Sequence, residues 1–397
     1  MSRGAHRGAR LALPLALALP VVAALASSAC DEGVTTSDEY AWDLPAGFPE
    51  PRVPEDNPMS EAKVELGRRL FYDARLSGNG TQSCASCHVQ ENAFSEPLVT
   101  SVGSTGEAHF RNAMSLTNVA YNTSQTWSNP IISSLEQQAL LPMFGEEPVE
   151  LGLAGLEDDL IARIAAVPLY EELFAEAFPE VDGAVTIDTI TKAIGAFERT
   201  LISGTSPYDQ FWYGKDVSAL SESAIRGLEL FLSERLECFH CHGGFNFQAA
   251  SDHVGTTFDE TAFFNNGLYN VDGEGGYPAS DRGLYDVTED PADMGMFKPP
   301  TLRNIALTAP YMHDGSLATL DEVIAMYEAG GRVIEDGPNA GDGRASPLKS
   351  QFVRGFVLSE QERADLMAFL ASLTDEAFIS DPRFSDPWAE DASAAGD

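Results

Sequence analysis

The chain has 397 residues, 44% of them hydrophobic, which is enough for two domains of ordinary size with buried cores. Its 61 acidic against 24 basic side chains give a formal charge of −37. That balance excludes a nucleic-acid partner, because phosphates would be repelled from almost any face, while it favours solubility and the steering of basic partners or cations.

In chain order, residues 1–30, "MSRGAHRGARLALPLALALPVVAALASSAC", have a basic start and an apolar run broken by Pro14 and Pro20. This reads as an export signal, too short and interrupted to be a membrane span. The "SSAC" end makes Cys30 a candidate for lipid attachment, with Ser27 standing where an aliphatic residue is preferred. Ordinary secretion, with Cys30 lost or idle, is the alternative. Either way the mature chain is expected to be exported to the periplasm.

Residues 31–57 are acidic and proline-rich and read as a tether or an extended strap. A helix is predicted in "SEAKVELGRRLFYD", where Val64, Leu66, Leu70 and Phe71 form an apolar stripe. Further helices are predicted over 155–178, interrupted by Pro168, and in "TIDTITKAIGAFERTLIS". The scheme restarts at "SESAIRGLELFLSE" and is completed by "TLDEVIAMYEAG" and "SEQERADLMAFLASL", where Ser359 and Glu362 have capping-box spacing. The expected fold is mainly α, with long loops around 245–300 and two domains, 58–215 and 216–380. The acidic tail, 381–397, is expected to be disordered.

The cysteines sharpen this reading. Apart from Cys30, all of them fall in two Cys-x-x-Cys-His motifs, Cys84–Cys87–His88 and Cys238–Cys241–His242. Two thiols at that spacing can bond a haem covalently while the next histidine takes the iron. A four-cysteine zinc site or a redox dithiol pair explains neither histidine. Two covalent c-type haems are therefore expected, and the motifs, 154 positions apart from Cys84 to Cys238, suggest one in each of two cytochrome c-like domains. His240, inside the second motif, reads as filler or as a neighbour of a haem propionate.

The two motifs, together with "SLEQQALLP" and "FKPPTLRNIALTAPYMHDGSLATLDEVIAMY", resemble the di-haem cytochrome c peroxidase and MauG superfamily over about residues 58–375. Within it, "SVGSTGEAHFRNAMSLTNVAYN", "TWSNP" and "PMFGEEPVELG" look most like the MbnH-type branch, whose members modify a tryptophan on a partner protein. The resemblance implies that the His88 haem reacts with hydrogen peroxide. Family peroxidases carry a distal histidine sixteen residues after the proximal one, where this chain has Ser104, so an open iron position is implied. His109 is the nearest alternative ligand and reads rather as structural.

By the same resemblance, Gln138, Pro142 and Glu150 line the peroxide pocket, with Glu146 and Glu147 as rivals of Glu150 for the acid. The His242 haem takes a sixth ligand from Tyr327, with Met326 and Met312 as rivals. Adjacent helix positions point about 100° apart, so only one of Met326 and Tyr327 can face the haem. Trp127 is the aromatic between the haems, and Trp212 is a candidate surface relay or a core residue. A calcium ion is implied at Asn112, Thr308 and Pro310.

The function implied is an oxidoreductase that uses hydrogen peroxide to form a high-valent state shared by both haems. It would then oxidise a tryptophan or tyrosine of a partner protein, possibilities including a copper-binding partner and a kynurenine product. The alternatives are a peroxidase fed by a small cytochrome or cupredoxin, and a plain electron-transfer cytochrome.

Overall fold

The computed structural model describes residues 40–257 and 262–394. The export segment, Cys30 and residues 31–39 lie outside the described residues. Helices form where apolar residues recur three and four apart behind a capping side chain. Helix α1 (Glu61–Phe71) starts on the Ser60 hydroxyl and buries Leu66, Leu70 and Phe71. Helix α2 (Leu135–Phe144) starts on Ser134, then α3 (Glu157–Ala165) and α4 (Pro168–Ala177) are separated where Pro168 restarts the chain. Helix α5 (Ile187–Arg199) opens with a Thr186–Thr189 capping box.

The second half runs through α6 (Pro207–Trp212), α7 (Glu222–Phe231), the short α8 (Tyr285–Thr288) and α9 (Leu320–Ala329). Helix α10 (Glu360–Ala371) carries the expected Ser359–Glu362 capping box. A minimal antiparallel ribbon pairs β1 (Val333–Ile334) with β2 (Gly341–Asp342), Val333 opposite Asp342. The stretch 245–300 is mostly irregular. No described helix is long and apolar enough to cross a membrane.

One construction recurs beside each haem motif. Helix α1, ahead of the first motif, crosses α5, and α7, ahead of the second, crosses α10. A glycine sits at each crossing. A Cβ on Gly67 would lie 1.9 Å from the Ala193 carbonyl oxygen, and one on Gly227 would lie 2.0 Å from that of Asp365. Phe71 and Phe197 fill the core of the first crossing, Leu228, Phe231, Leu366 and Phe369 that of the second. Both crossings belong to a single unit that begins at Tyr40.

Of the two readings of the proline-rich stretch, residues 40–57 take that of a strap, bound to the body: Phe48 is buried against Phe245, and Tyr121 donates to the Pro49 carbonyl at 2.8 Å. The expectation for the tail is revised: residues 381–394 are ordered rather than disordered, with a final helix α11 (Pro387–Ala394). Its Trp388 donates to the Arg69 carbonyl at 3.0 Å, and the guanidinium groups of Arg69 and Arg75 lie over its ring. That one aromatic anchor offsets the ordering of an otherwise polar segment.

Gly227→Ala is expected to lower the free energy of unfolding by about 3 kcal/mol, since backbone must move to admit one methyl group. Chemical denaturation measures this, and an unchanged midpoint would mean that α7 and α10 can separate without loss.

Candidate functional site

The second motif opens on a cavity of about 200 Å³. A short turn over Cys238–His240 brings the His242 amide to the Cys238 carbonyl at 3.0 Å and places Cys238, Cys241 and His242 on one wall. Nδ1 of His242 faces the carbonyls of Pro300 at 3.1 Å and Phe247 at 3.3 Å. Burial pushes the imidazole down to about 4, so Nδ1 carries the proton and donates, and Nε2 is left as a lone-pair donor for a metal.

The lining of the same cavity also includes Tyr327, from α9, and Met312. Met326 is buried in the core and is absent from the lining. Met312 Sδ accepts from Asn266 at 3.4 Å. Burial raises the Tyr327 phenol, and the Cys241 thiol adds to the effect. His240 does not line the cavity. Its ring stacks on Phe352, and its Nε2 lies 2.7 Å from Glu237 Oε2.

Lys298 tests whether a haem fits here. It is 1% exposed and lines the cavity, its Nζ donates to the Ser124 carbonyl at 2.6 Å, and burial lowers it to about 7. No carboxylate pairs with it among the described residues. A buried cation of this kind is stabilised by an anion brought from outside, and haem propionates supply one. Two thiols, an imidazole with its Nε2 free and an apolar slot complete the fit.

The first motif is built the same way. Nδ1 of His88 lies 2.9 Å from the Phe94 carbonyl. Ala93 and Phe94, both fully buried, take left-handed conformations (φ 54° and 57°), as does Phe247 (φ 48°) in the second site. Each phenylalanine thus turns its carbonyl toward a proximal histidine. Burial raises the Cys84 thiol, and Glu198, Cys87 and Glu150 raise it further. Glu198, on α5, is buried with an unpartnered oxygen, and burial lifts it to about 8.

Gln138 and Pro142 lie one turn apart on α2, both half-buried. Pro142 has no N–H to donate to the Gln138 carbonyl four residues earlier, so the helix ladder is interrupted there. The Pro142 carbonyl instead accepts from Leu151 at 2.8 Å, which ties Glu150 to α2. Ser104 donates its amide to the Glu150 carbonyl at 2.7 Å. Glu146 and Glu147 are exposed, whereas burial pushes the Glu150 carboxyl up to about 7. His109 lies beside Glu150, its Nε2 3.4 Å from Glu150 Oε1 and otherwise unpartnered, with burial lowering it.

Trp127 lines the His242 cavity and also a neighbouring cavity of about 60 Å³. Asn112, Thr308 and Pro310 line the latter. Trp127 Nε1 donates to the Asn112 carbonyl at 3.0 Å, and the Asn112 amide nitrogen donates to the Leu98 carbonyl at 2.8 Å. The residues that sequence reasoning missed are His109 as a partner of Glu150, Glu198, Lys298, and the two carbonyl-turning phenylalanines. Lys298, His109 and Glu198 stood inside stretches already singled out, whereas the two phenylalanines did not.

A family profile described as di-haem cytochrome c peroxidase matches residues 61–217. The cytochrome-c peroxidase IdrP1 of Denitromonas iodatirespirans is 34% identical, covering 93% of this chain and 95% of its own. The methylamine utilization protein MauG of Methylorubrum extorquens is 32% identical, covering 92% and 96%. The crystal structure of a MauG-like protein associated with microbial copper homeostasis is 52% identical, with a TM-score of 0.86, and covers 88% of this chain and 99% of its own.

Glu150 has to be ionised to accept a proton, and its carboxylate form gains ground as pH rises through about 7. The second-order rate constant for hydrogen peroxide is therefore expected to fall about tenfold per unit below that pH and to level off above it. Glu150→Gln should lower the rate about 10²- to 10⁴-fold and flatten the profile. Stopped-flow absorbance measures both, and a Glu150→Gln protein with the original profile would remove Glu150 from this role.

Proposed function

The chain belongs to the di-haem cytochrome c peroxidase and MauG family, and from that premise we propose that it spends the oxidising power of hydrogen peroxide on a tryptophan of a separate protein. The observation that carries this reading is Tyr327, whose phenol lines the His242 cavity while Met326 is turned into the core. A phenolate opposite the histidine favours oxidised iron, where a thioether would favour reduced iron. The 52% identical MauG-like protein is associated with copper homeostasis, which supports a copper-handling partner.

Cys84, Cys87 and His88 would hold one haem, and Cys238, Cys241, His242 and Tyr327 the other, with Lys298 available to a propionate. The bound haems supply iron that accepts the two oxidising equivalents of peroxide. Ser104, in place of a histidine, keeps the far side of the His88 site open. There Glu150 takes the proton from one peroxide oxygen and delivers it to the other, so that water leaves. Gln138 donates to the charge that develops, and Pro142 walls the pocket. Trp127 is the aromatic through which electrons pass between the two sites. Residues 1–30 direct the enzyme to the periplasm, with Cys30 as its lipid attachment.

Each peroxide takes up two electrons and two protons and gives two waters. Converting a tryptophan ring to N-formylkynurenine removes four electrons and incorporates two water oxygens, so two peroxides are consumed per ring. Hydrolysis then releases formate and leaves kynurenine. The test mixes the purified diferric protein with stoichiometric peroxide and, in turn, proteins encoded by neighbouring genes. A long-lived oxidised spectrum quenched by one of them, with kynurenine in that protein by mass spectrometry, is the expected result. The 34% identity to a cytochrome-c peroxidase favours a second reading. Steady turnover with reduced cytochrome c and no protein oxidation would establish that one instead.

The same proposal assigns calcium to Asn112, Thr308 and Pro310, supported by the cavity they share and by their oxygen donors, which suit a hard cation. Chelation with EGTA is expected to slow partner oxidation, and calcium but not magnesium to restore it, since magnesium gives up its waters reluctantly. Full activity in protein shown by elemental analysis to be calcium-free would remove the assignment.

A further inference from the structure

Trp212 closes α6 and is 45% exposed. Its ring stacks on that of Tyr208, with centroids 6.1 Å apart and 10° between the planes. Tyr208 is 6% exposed and meets Phe247 edge-on at 4.9 Å. Phe247 is also the residue whose carbonyl accepts from His242 Nδ1. A line of one hydrogen bond and two ring contacts therefore runs from the proximal histidine of the second site to solvent. Its two outer rings, an indole and a phenol, are the side chains most readily oxidised by one electron.

The other tryptophans are less suited to this exit. Of the four in the chain, Trp127 lies between the two interior cavities. Trp388 has the guanidinium groups of Arg69 and Arg75 at 5.3 and 5.4 Å, and cations on a ring make an electron harder to remove from it. Trp42 has its ring contact with Tyr40, in the strap. The Lys215 ammonium next to Trp212 turns back to the Trp212 carbonyl at 2.5 Å, where it complements the α6 C-terminus. Val217, 79% exposed, extends the apolar surface on the same loop.

We propose that Trp212 is where the oxidising equivalent leaves the protein, and that the surface around Trp212 and Val217 receives the aromatic residue of a partner protein. This rests on the protein-oxidation reading above and gives it a place. The chain's charge of −37 favours a partner whose docking face is neutral or basic. In each passage Trp212 gives one electron inward past Tyr208 and is restored by one electron from the partner's ring, which releases a proton to solvent. Two passages reduce one peroxide to two waters.

The test needs no partner. The diferric holoprotein is treated with one equivalent of hydrogen peroxide and the spin trap 2-methyl-2-nitrosopropane, and adducts are mapped by peptide mass spectrometry. The adduct is expected on Trp212. It should be lost in Trp212→Phe and move to the new phenol in Trp212→Tyr, with haem absorption as the folding control. Adducts confined to other residues, or partner oxidation by Trp212→Phe at the wild-type rate, would overturn the proposal. An adduct on Trp212 together with failure to oxidise any protein would leave the exit standing and remove the partner reading.

Discussion

The buried ion pair between Arg303 and Asp209 is the constraint on which the second site depends. Arg303 is 0% exposed and meets the Asp209 carboxylate with two nitrogens at 2.8 and 2.9 Å. It also donates to the Phe245 carbonyl at 2.6 Å, and its guanidinium lies over Phe48 at 4.7 Å and Phe247 at 5.7 Å. Asp209 is held in turn by the Ser206 hydroxyl and amide. One side chain thus fastens the strap, the 245–247 loop behind His242, and the helix that carries Tyr208 and Trp212. Withdrawing two charges from water is costly, and here nearly every donor and acceptor of the pair is satisfied. Removing either partner would strand the other, a loss of about 3–5 kcal/mol.

A second buried network joins the loops that the helices leave open. Asn118 donates to Ser203 and Asn246, Thr301 to Asn246, and Asn304 to Ser203. Asp375, just after α10, accepts from the amides of Gly204 and Thr205. These side chains satisfy backbone groups that would otherwise be stranded in the interior. The irregular stretches therefore hold fixed positions around the cavities without strands or long helices to support them.

Much of this was legible in the sequence, for reasons that are local. Apolar spacing and caps gave α1, α5, α7, α9 and α10, and the Cys-x-x-Cys-His spacing located both sites. Helix α2 was harder, because Pro142 reads as a stop although it falls near the helix end, where the lost hydrogen bond matters least. The tail misled because its composition is acidic and small, and only the tertiary stacking of Trp388 on two arginines reveals why it folds. Glu146, Glu147 and Glu150 are alike as letters, and the bond between Leu151 and Pro142 draws only the last of them part-way out of solvent. Lys298 and Glu198 were illegible as functional groups, since burial without a counter-ion is a property of packing between distant segments.

The left-handed phenylalanines behind the two histidines cost about 1–3 kcal/mol each, and the fold bears that cost twice. The support behind the two imidazoles is thereby alike without being identical: each Nδ1 faces the carbonyl of a left-handed phenylalanine, and that of His242 faces Pro300 as well. A difference in chemistry between the two centres would then have to come from the residues around them, Glu150 and His109 near the first, Tyr327 and Lys298 near the second. A tandem gene copy would arrive with both pedestals already correct, and divergence of the two halves would need to remodel only their lids.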